Sequence, residues 1–244
     1  MKGMNSGRWI RSVCSALLVF VLSGVPASAA GQGYNPRTDR AVHYSLRTTE
    51  KKIALTFDDG PLPGKTEAIL DVLRENGVRA TFFMVGSQVE ANPALSRRVA
   101  EEGHEIGNHT FTHNGIRTEK KGELCREIKK TEAAISEACG KMPALFRPPT
   151  GWCSATVSAA AKENGYEIVM WSVDTEDWKG RSADAIVGTV LETVRPGAIV
   201  LMHDGIYRES HTAEALSALI PRLRAEGYEF VTAGELIEAV MTEE

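Results

Sequence analysis

Residues 51–61 read KKIALTFDDGP, and this stretch decides how the rest of the chain is read. Ile53 to Phe57 make an apolar run of the length and character of a strand buried on both faces. The run ends on two adjacent carboxylates, Asp58 and Asp59, and Gly60 and Pro61 then turn the chain. A turn needs one aspartate at most, and neighbouring negative charges repel. The second carboxylate asks for a chemical reason, and a divalent cation supplies one by offsetting the repulsion. Because successive side chains at a strand end point to different sides, one aspartate can hold a cation while its neighbour faces water.

Outward from this stretch the pattern alternates. KTEAILDVLRENG (65–77) reads as a helix with a glycine stop, ATFFMVG (80–86) as a strand and PALSRRVAEEG (93–103) as a helix with proline at its start. A short strand is expected near 104–107, a long helix near 120–138, and a strand at ALFR (144–147). The second half continues with strands at YEIVMWSV (166–173), AIVLM (198–202) and EFVTA (229–233), separated by helical segments. Seven apolar strands alternating with helices predict one α/β domain with a parallel sheet covered on both faces. One strand fewer than a regular eight-stranded barrel fits a distorted barrel or an open sheet.

The N-terminus reads differently. Lys2, Arg8 and Arg11 precede an apolar run, VCSALLVFVLSGV (13–25), and the small residues Ala27-Ser28-Ala29 follow. That layout predicts a secretory signal peptide over residues 1–29. Its apolar core, about 13 residues, falls short of the roughly 20 that span a bilayer, so no stable membrane insertion is expected after cleavage. Residues 30–50 read as a linker and 51–244 as the α/β domain. Cys125, Cys139 and Cys153 remain, an odd number, and the first two would lie about 20 Å apart along one helix, too far to pair. The formal net charge of −4 becomes more negative once the leader's basic residues are removed, which argues against nucleic acid as a partner.

Polar groups directly follow five of the predicted strands: Asp58 and Asp59; HTFTH (109–113); Arg147 before two prolines; Asp174 and Asp177-Trp178; and His203-Asp204. The carboxyl ends of parallel strands are where active sites are built. His109 and His113, four residues apart, fall on one face of a helix or a strand. With Asp59 they would make a two-imidazole, one-carboxylate set with open positions, the arrangement of a catalytic cation. Arg147 can fix a base carboxylate in its ionised form. His203 can act as a general acid with Asp174 or Asp177 raising its pKa, or it is a core histidine. Trp178 is core or a wall of the pocket. His43, His104 and His211 lack converging partners and read as structural.

TFDDGP (56–61), HTFTH (109–113), RPP (147–149), DTEDW (174–178) and LMH (201–203), in this order and at strand ends, resemble the motifs of the polysaccharide deacetylase family, the NodB-homology domain of carbohydrate esterase family 4. The likeness covers about residues 51–240. It implies a distorted (β/α) barrel, here with about seven parallel strands, that removes acetyl groups from sugars. It also implies that Asp58 is the general base, that Asp59, His109 and His113 hold the metal, and that Arg147 orients the base. Asp177 would tune His203 as general acid, and Trp178 and Leu201 would line the acetyl pocket. Thr150 stands where many members have tyrosine, at the position whose backbone N–H serves the oxyanion hole. The resemblance implies a zinc-dependent deacetylase, with cobalt or nickel also compatible, acting on peptidoglycan or a chitin-like polymer; the leader adds the expectation of export, to a secreted or envelope-associated place, and a monomer is expected. An O-acetyl xylan esterase, a small-molecule amidohydrolase and an inactive wall-binding protein are the competing expectations.

Overall fold

The computed structural model describes residues 34–114, 120–205 and 209–241. The expected signal peptide, and Cys14 within it, lie outside the described residues. Nine strands and eight α-helices alternate along the described chain. They are β1 (Val42–His43), β2 (Lys52–Asp58), α1 (Thr66–Glu75), β3 (Thr81–Met84), α2 (Gly86–Ala91), α3 (Pro93–Glu101), β4 (Glu105–Asn108), α4 (Lys121–Cys139) and β5 (Leu145–Phe146). Then follow α5 (Ala155–Glu163), β6 (Glu167–Val169), β7 (Val173–Asp174), α6 (Ala183–Thr193), β8 (Ile199–His203), α7 (Thr212–Ala225), β9 (Glu229–Val231) and α8 (Ala233–Met241).

The pairings between these strands are parallel, in the order β1-β6-β5-β4-β3-β2-β8-β7, with β9 branching from β2. The expected seven strands become nine for two reasons. YEIVMWSV breaks into β6 and β7, which stand near opposite ends of the sheet order although only Met170, Trp171 and Ser172 join them. Three extended residues reach about 10 Å, so the sheet must curl until its ends meet. Residues 34–50, expected as a linker, supply the other strand. β1 pairs with β6, Ser45 forms an antiparallel bridge to Ala198 beside β8, and the Leu46 N–H donates to the Gly197 carbonyl at 2.9 Å. The result is the expected distorted barrel, closed by a short N-terminal stave.

Alternation along β2 sets its two faces. Ile53, Leu55 and Phe57 join the outer core with Ile69, Leu70 and Leu73 of α1 and Leu216, Leu219 and Leu223 of α7. Truncating one of these buried side chains to alanine costs about 2–5 kcal/mol. Ala54 belongs to the inner cluster with Phe83, Ile199 and Leu236. Thr56 and Asp58 share its parity and therefore its side. Cys125, Cys139 and Cys153 are free thiols. Among the described residues no helix is long and apolar enough to cross a membrane.

Candidate active site

Register brings the polar residues into one row. Asp58 is opposite His203 across β2 and β8, and Asn108, which precedes His109, is opposite Phe146, which precedes Arg147. The strand order then runs Arg147, His109, Asp58, His203 and Asp174 around one pole of the barrel. A cleft of about 410 Å³ opens there, lined among others by Asp58, Asp59, His113, Thr150, Leu201 and His203.

The two neighbouring aspartates part company as their side chains leave the strand end. Asp58 faces inward, where its Oδ1 accepts from Arg147 Nη1 at 2.7 Å. Arg147 is fully buried and fixed along its whole fork. It donates to the Val169 and Met170 carbonyls at 2.9 Å and to Thr56 Oγ1 at 2.8 Å, and it stacks 4.2 Å from the Phe83 ring centre. Asp59 takes a left-handed backbone, φ 76°, which costs a non-glycine residue about 1–2 kcal/mol. Thr110, His113 and Thr150 are left-handed too. Strain gathered at one pole marks a site that the surrounding structure holds in place.

His109 and His113 meet through a turn, not through the helix or strand their spacing first invites. Asn108 Oδ1 accepts the Thr110 N–H at 3.0 Å. Glu127 of α4 accepts the Phe111 and Thr112 N–H groups at 3.0 and 2.8 Å. Turned back in this way, the imidazole rings lie 4.9 Å apart. His109 Nδ1 sits 2.7 Å from the Arg147 carbonyl, which can only accept, so Nδ1 carries the proton and Nε2 presents a lone pair.

These residues fit a metal. Asp59 Oδ1 lies 3.3 Å from His109 Nε2 and 3.0 Å from His113 Nε2, yet it is buried without a hydrogen-bond partner. One ligand atom from each of the three falls within 4.8 Å of the others. Two imidazoles and a carboxylate are the donor set of an open zinc-like site.

On the opposite wall, His203 Nδ1 donates to Asp177 Oδ1 at 2.8 Å, and the His203 N–H donates to Asp177 Oδ2 at 2.8 Å. Thr212 Oγ1 and the Trp178 N–H complete the buried carboxylate's contacts. Burial would depress His203, but the bond and charge of Asp177, with Asp58 and Asp59 behind it, lift it to about 9. Asp174, the other expected partner, instead accepts the Glu176 N–H at 2.9 Å. Leu201 is buried at the cleft wall, and Trp178 is 45% exposed at its edge. Thr150 lines the cleft on a short 3-10 turn, Pro149–Gly151.

Residues 45–169 match the family described as polysaccharide deacetylase. A peptidoglycan-N-acetylglucosamine deacetylase of Bacillus cereus is 42% identical over 198 residues, which cover 80% of this chain and 92% of that protein. The chain belongs to the polysaccharide deacetylase family. Another polysaccharide deacetylase, the peptidoglycan-N-acetylglucosamine deacetylase PgdA of Listeria monocytogenes, is 42% identical over 86% of this chain, which spans 44% of the Listeria protein. The crystal structure of the Bc1960 peptidoglycan N-acetylglucosamine deacetylase superposes with a TM-score of 0.77 at 38% identity, covering 80% of this chain and 92% of that one.

Within this polysaccharide deacetylase fold several supporting residues had been given no role in the reading of the sequence. Thr56 bridges Arg147 to the Val200 carbonyl, and Thr212 braces Asp177 from 35 residues away. Trp171 packs on Gly151, where an added Cβ would lie 2.5 Å from the ring, and so backs the Thr150 turn. Asp204 is buried beneath the DDGP turn. Burial and the nearby Asp58 and Asp59 push it up to about 7, against its hydrogen bonds from Thr66 and Gly60. Only Thr56 and Asp204 sit inside motifs that could have drawn attention to them.

Proposed function

We propose that the chain is an exported, divalent-metal-dependent N-deacetylase that hydrolyses the acetamide of N-acetylglucosamine units in a glycan polymer, peptidoglycan first and a chitin-like polymer second. The observation that carries this is the meeting of Asp59, His109 and His113 beside a cleft that Asp59 and His113 line together with two separately oriented proton-transfer groups, Asp58 and His203. The names of the two relatives support the sugar and the amide bond. The leader expected at residues 1–29 supports export.

A zinc-like cation held by Asp59, His109 and His113 would acidify water and polarise the acetamide carbonyl; cobalt and nickel suit the same donors. The chain supplies the rest. Asp58 takes the proton of the attacking water, and Arg147 fixes it in direction. The Thr150 backbone N–H, on a turn at the cleft wall, is the donor for the developing oxyanion. An amine leaves poorly unless protonated, and His203, with Nδ1 committed to Asp177, offers Nε2 to the leaving nitrogen. Leu201 and Trp178 shelter the acetyl methyl.

Acetate release by the purified protein, with and without chelator, tests the reading on N-acetylglucosamine oligomers, peptidoglycan and acetylated xylan. Chelator-sensitive release from the first two is expected. Release from xylan alone would make it an O-acetyl esterase. Inactivity with metal bound would redirect the search to small amides, and inactivity without metal binding would leave a wall-binding protein.

A further inference from the structure

We propose that Asp204 is a positioning residue for metal binding: its buried carboxylate latches the turn that carries Asp59, so that Asp59 is aimed before a cation arrives. The inference rests on the proposed metal role of Asp59, His109 and His113.

Asp59 occupies an unfavourable left-handed backbone, and something must hold it there. Asp204 Oδ1 accepts the Gly60 N–H at 3.1 Å, on the residue that follows Asp59. Its Oδ2 accepts the Thr66 hydroxyl at 2.7 Å, and Thr66 Oγ1 in turn accepts the Leu62 N–H at 2.8 Å. One carboxylate thus ties down both halves of the turn between β2 and α1. From the other side, the Asp204 and Gly205 N–H groups both donate to the Asp58 carbonyl, at 3.0 and 3.2 Å.

The two turns fit so closely that side chains are barred from their contact. A Cβ on Gly60 would lie 2.0 Å from Asp204 Oδ2, and one on Gly205 would lie 2.2 Å from the Asp59 carbonyl carbon. Asp204 is 2% exposed and does not line the cleft, so it acts on the metal ligand through the backbone and not on substrate. Its partners sit 138 and 144 residues away in sequence, which makes the latch a product of the fold. Groups that orient metal ligands typically contribute 10–100-fold in affinity.

The test titrates metal-free protein with zinc against a chromophoric chelator, and with cobalt while reading its visible absorption bands. Thr66→Val removes the hydroxyl that joins Leu62 to Asp204 while keeping shape, Thr66→Ser restores it, and Asp204→Asn keeps shape while replacing one of the two accepting oxygens with a donor. Thermal midpoints are recorded for each. Zinc binding weakened about 10–100-fold in Asp204→Asn, weakened about tenfold in Thr66→Val and recovered in Thr66→Ser, with altered cobalt bands, is the expected result. Should Asp204→Asn fail to fold, the two Thr66 variants decide alone. Lower thermal midpoints with zinc affinity within twofold of the unmodified protein and unchanged cobalt bands would overturn the proposal, because the latch would then be structural only. Failure of the unmodified protein to bind either metal would overturn the metal reading, and the latch with it.

Discussion

Strand β4 is flanked by a buried histidine at each end, and the two present opposite chemistry. His104, before the strand, is 2% exposed, and its Nδ1 accepts the Ala80 N–H at 3.2 Å. The proton is therefore on Nε2, which has no hydrogen-bond partner among the described residues. His109, after the strand, is equally buried, but its Nδ1 donates to the Arg147 carbonyl and its Nε2 lone pair faces Asp59. Same residue, same strand and same burial give a filler at one pole and a candidate ligand at the other. What separates them is whether the neighbouring backbone offers an N–H or a C=O. A histidine becomes a metal ligand when its second nitrogen is told where to keep its proton.

The largest expected effect breaks this comparison directly. His109→Ala should leave no stoichiometric zinc on the protein after gel filtration and no measurable acetate release. His104→Ala should keep zinc and activity while losing about 1–3 kcal/mol of stability, because the Ala80 N–H loses its buried acceptor. Metal analysis and denaturant melts of both variants check the pair; loss of zinc in His104→Ala would mean that the two poles are not independent.

Next in size is the division between holding metal and moving protons within the active pole. Asp58→Asn should retain zinc and lose about 10²–10⁴-fold in kcat. Arg147 would still meet a polar oxygen, so the fold should survive. Turnover near that of the unmodified protein would remove Asp58 from the role of base.

Asp58, Asp59, His109, His113, Arg147 and His203 were legible in the sequence because each ends or follows a strand within a short polar motif, and a parallel sheet lines up such ends whatever the strand order. The rest depended on distance. Asp174 and Asp177 read alike along the chain; only the 3-10 turn at Asp177–Lys179 puts the second beneath His203. Asp204 stands beside His203 in a polar pair, but its partners and that of Thr212 lie 35 to 144 residues away, and no local pattern announces them. The barrel closure was hidden for a different reason. β1 has two residues, and YEIVMWSV is mostly apolar, broken only by Glu167 and Ser172, so periodicity could register neither the extra strand nor the break at Met170–Ser172.

A smaller effect belongs to His104 alone. Burial lowers it to about 4 from an ordinary 6.5, with the Glu102 charge opposing in part. The unfolded chain therefore binds the extra proton first as pH falls. Stability from this group is complete above about 6.5 and drains as pH falls through about 4, by at most about 3 kcal/mol. Urea melts from pH 7 to 4 should show a steeper loss for the unmodified protein than for His104→Gln; parallel curves would mean that His104 charges freely in the folded state.

His203 completes the contrast, since burial acts on it as on His104 and loses. Its level of about 9 reflects the Asp177 hydrogen bond and charge, with Asp58 and Asp59 adding to them. A general acid at that level is protonated through neutral pH and fails as pH rises through about 9. Asp177→Asn keeps an acceptor for His203 Nδ1–H but removes the nearest charge, so burial should gain the upper hand and move the alkaline limb of kcat/KM down by about 1–2 units. At pH 8 that is a loss of about two- to tenfold, recovered as the pH is lowered toward 6, whereas a variant that merely misplaced the ring would stay impaired at both. An alkaline limb unmoved by Asp177→Asn would assign it to another group and leave His203 as a binding residue at the cleft wall.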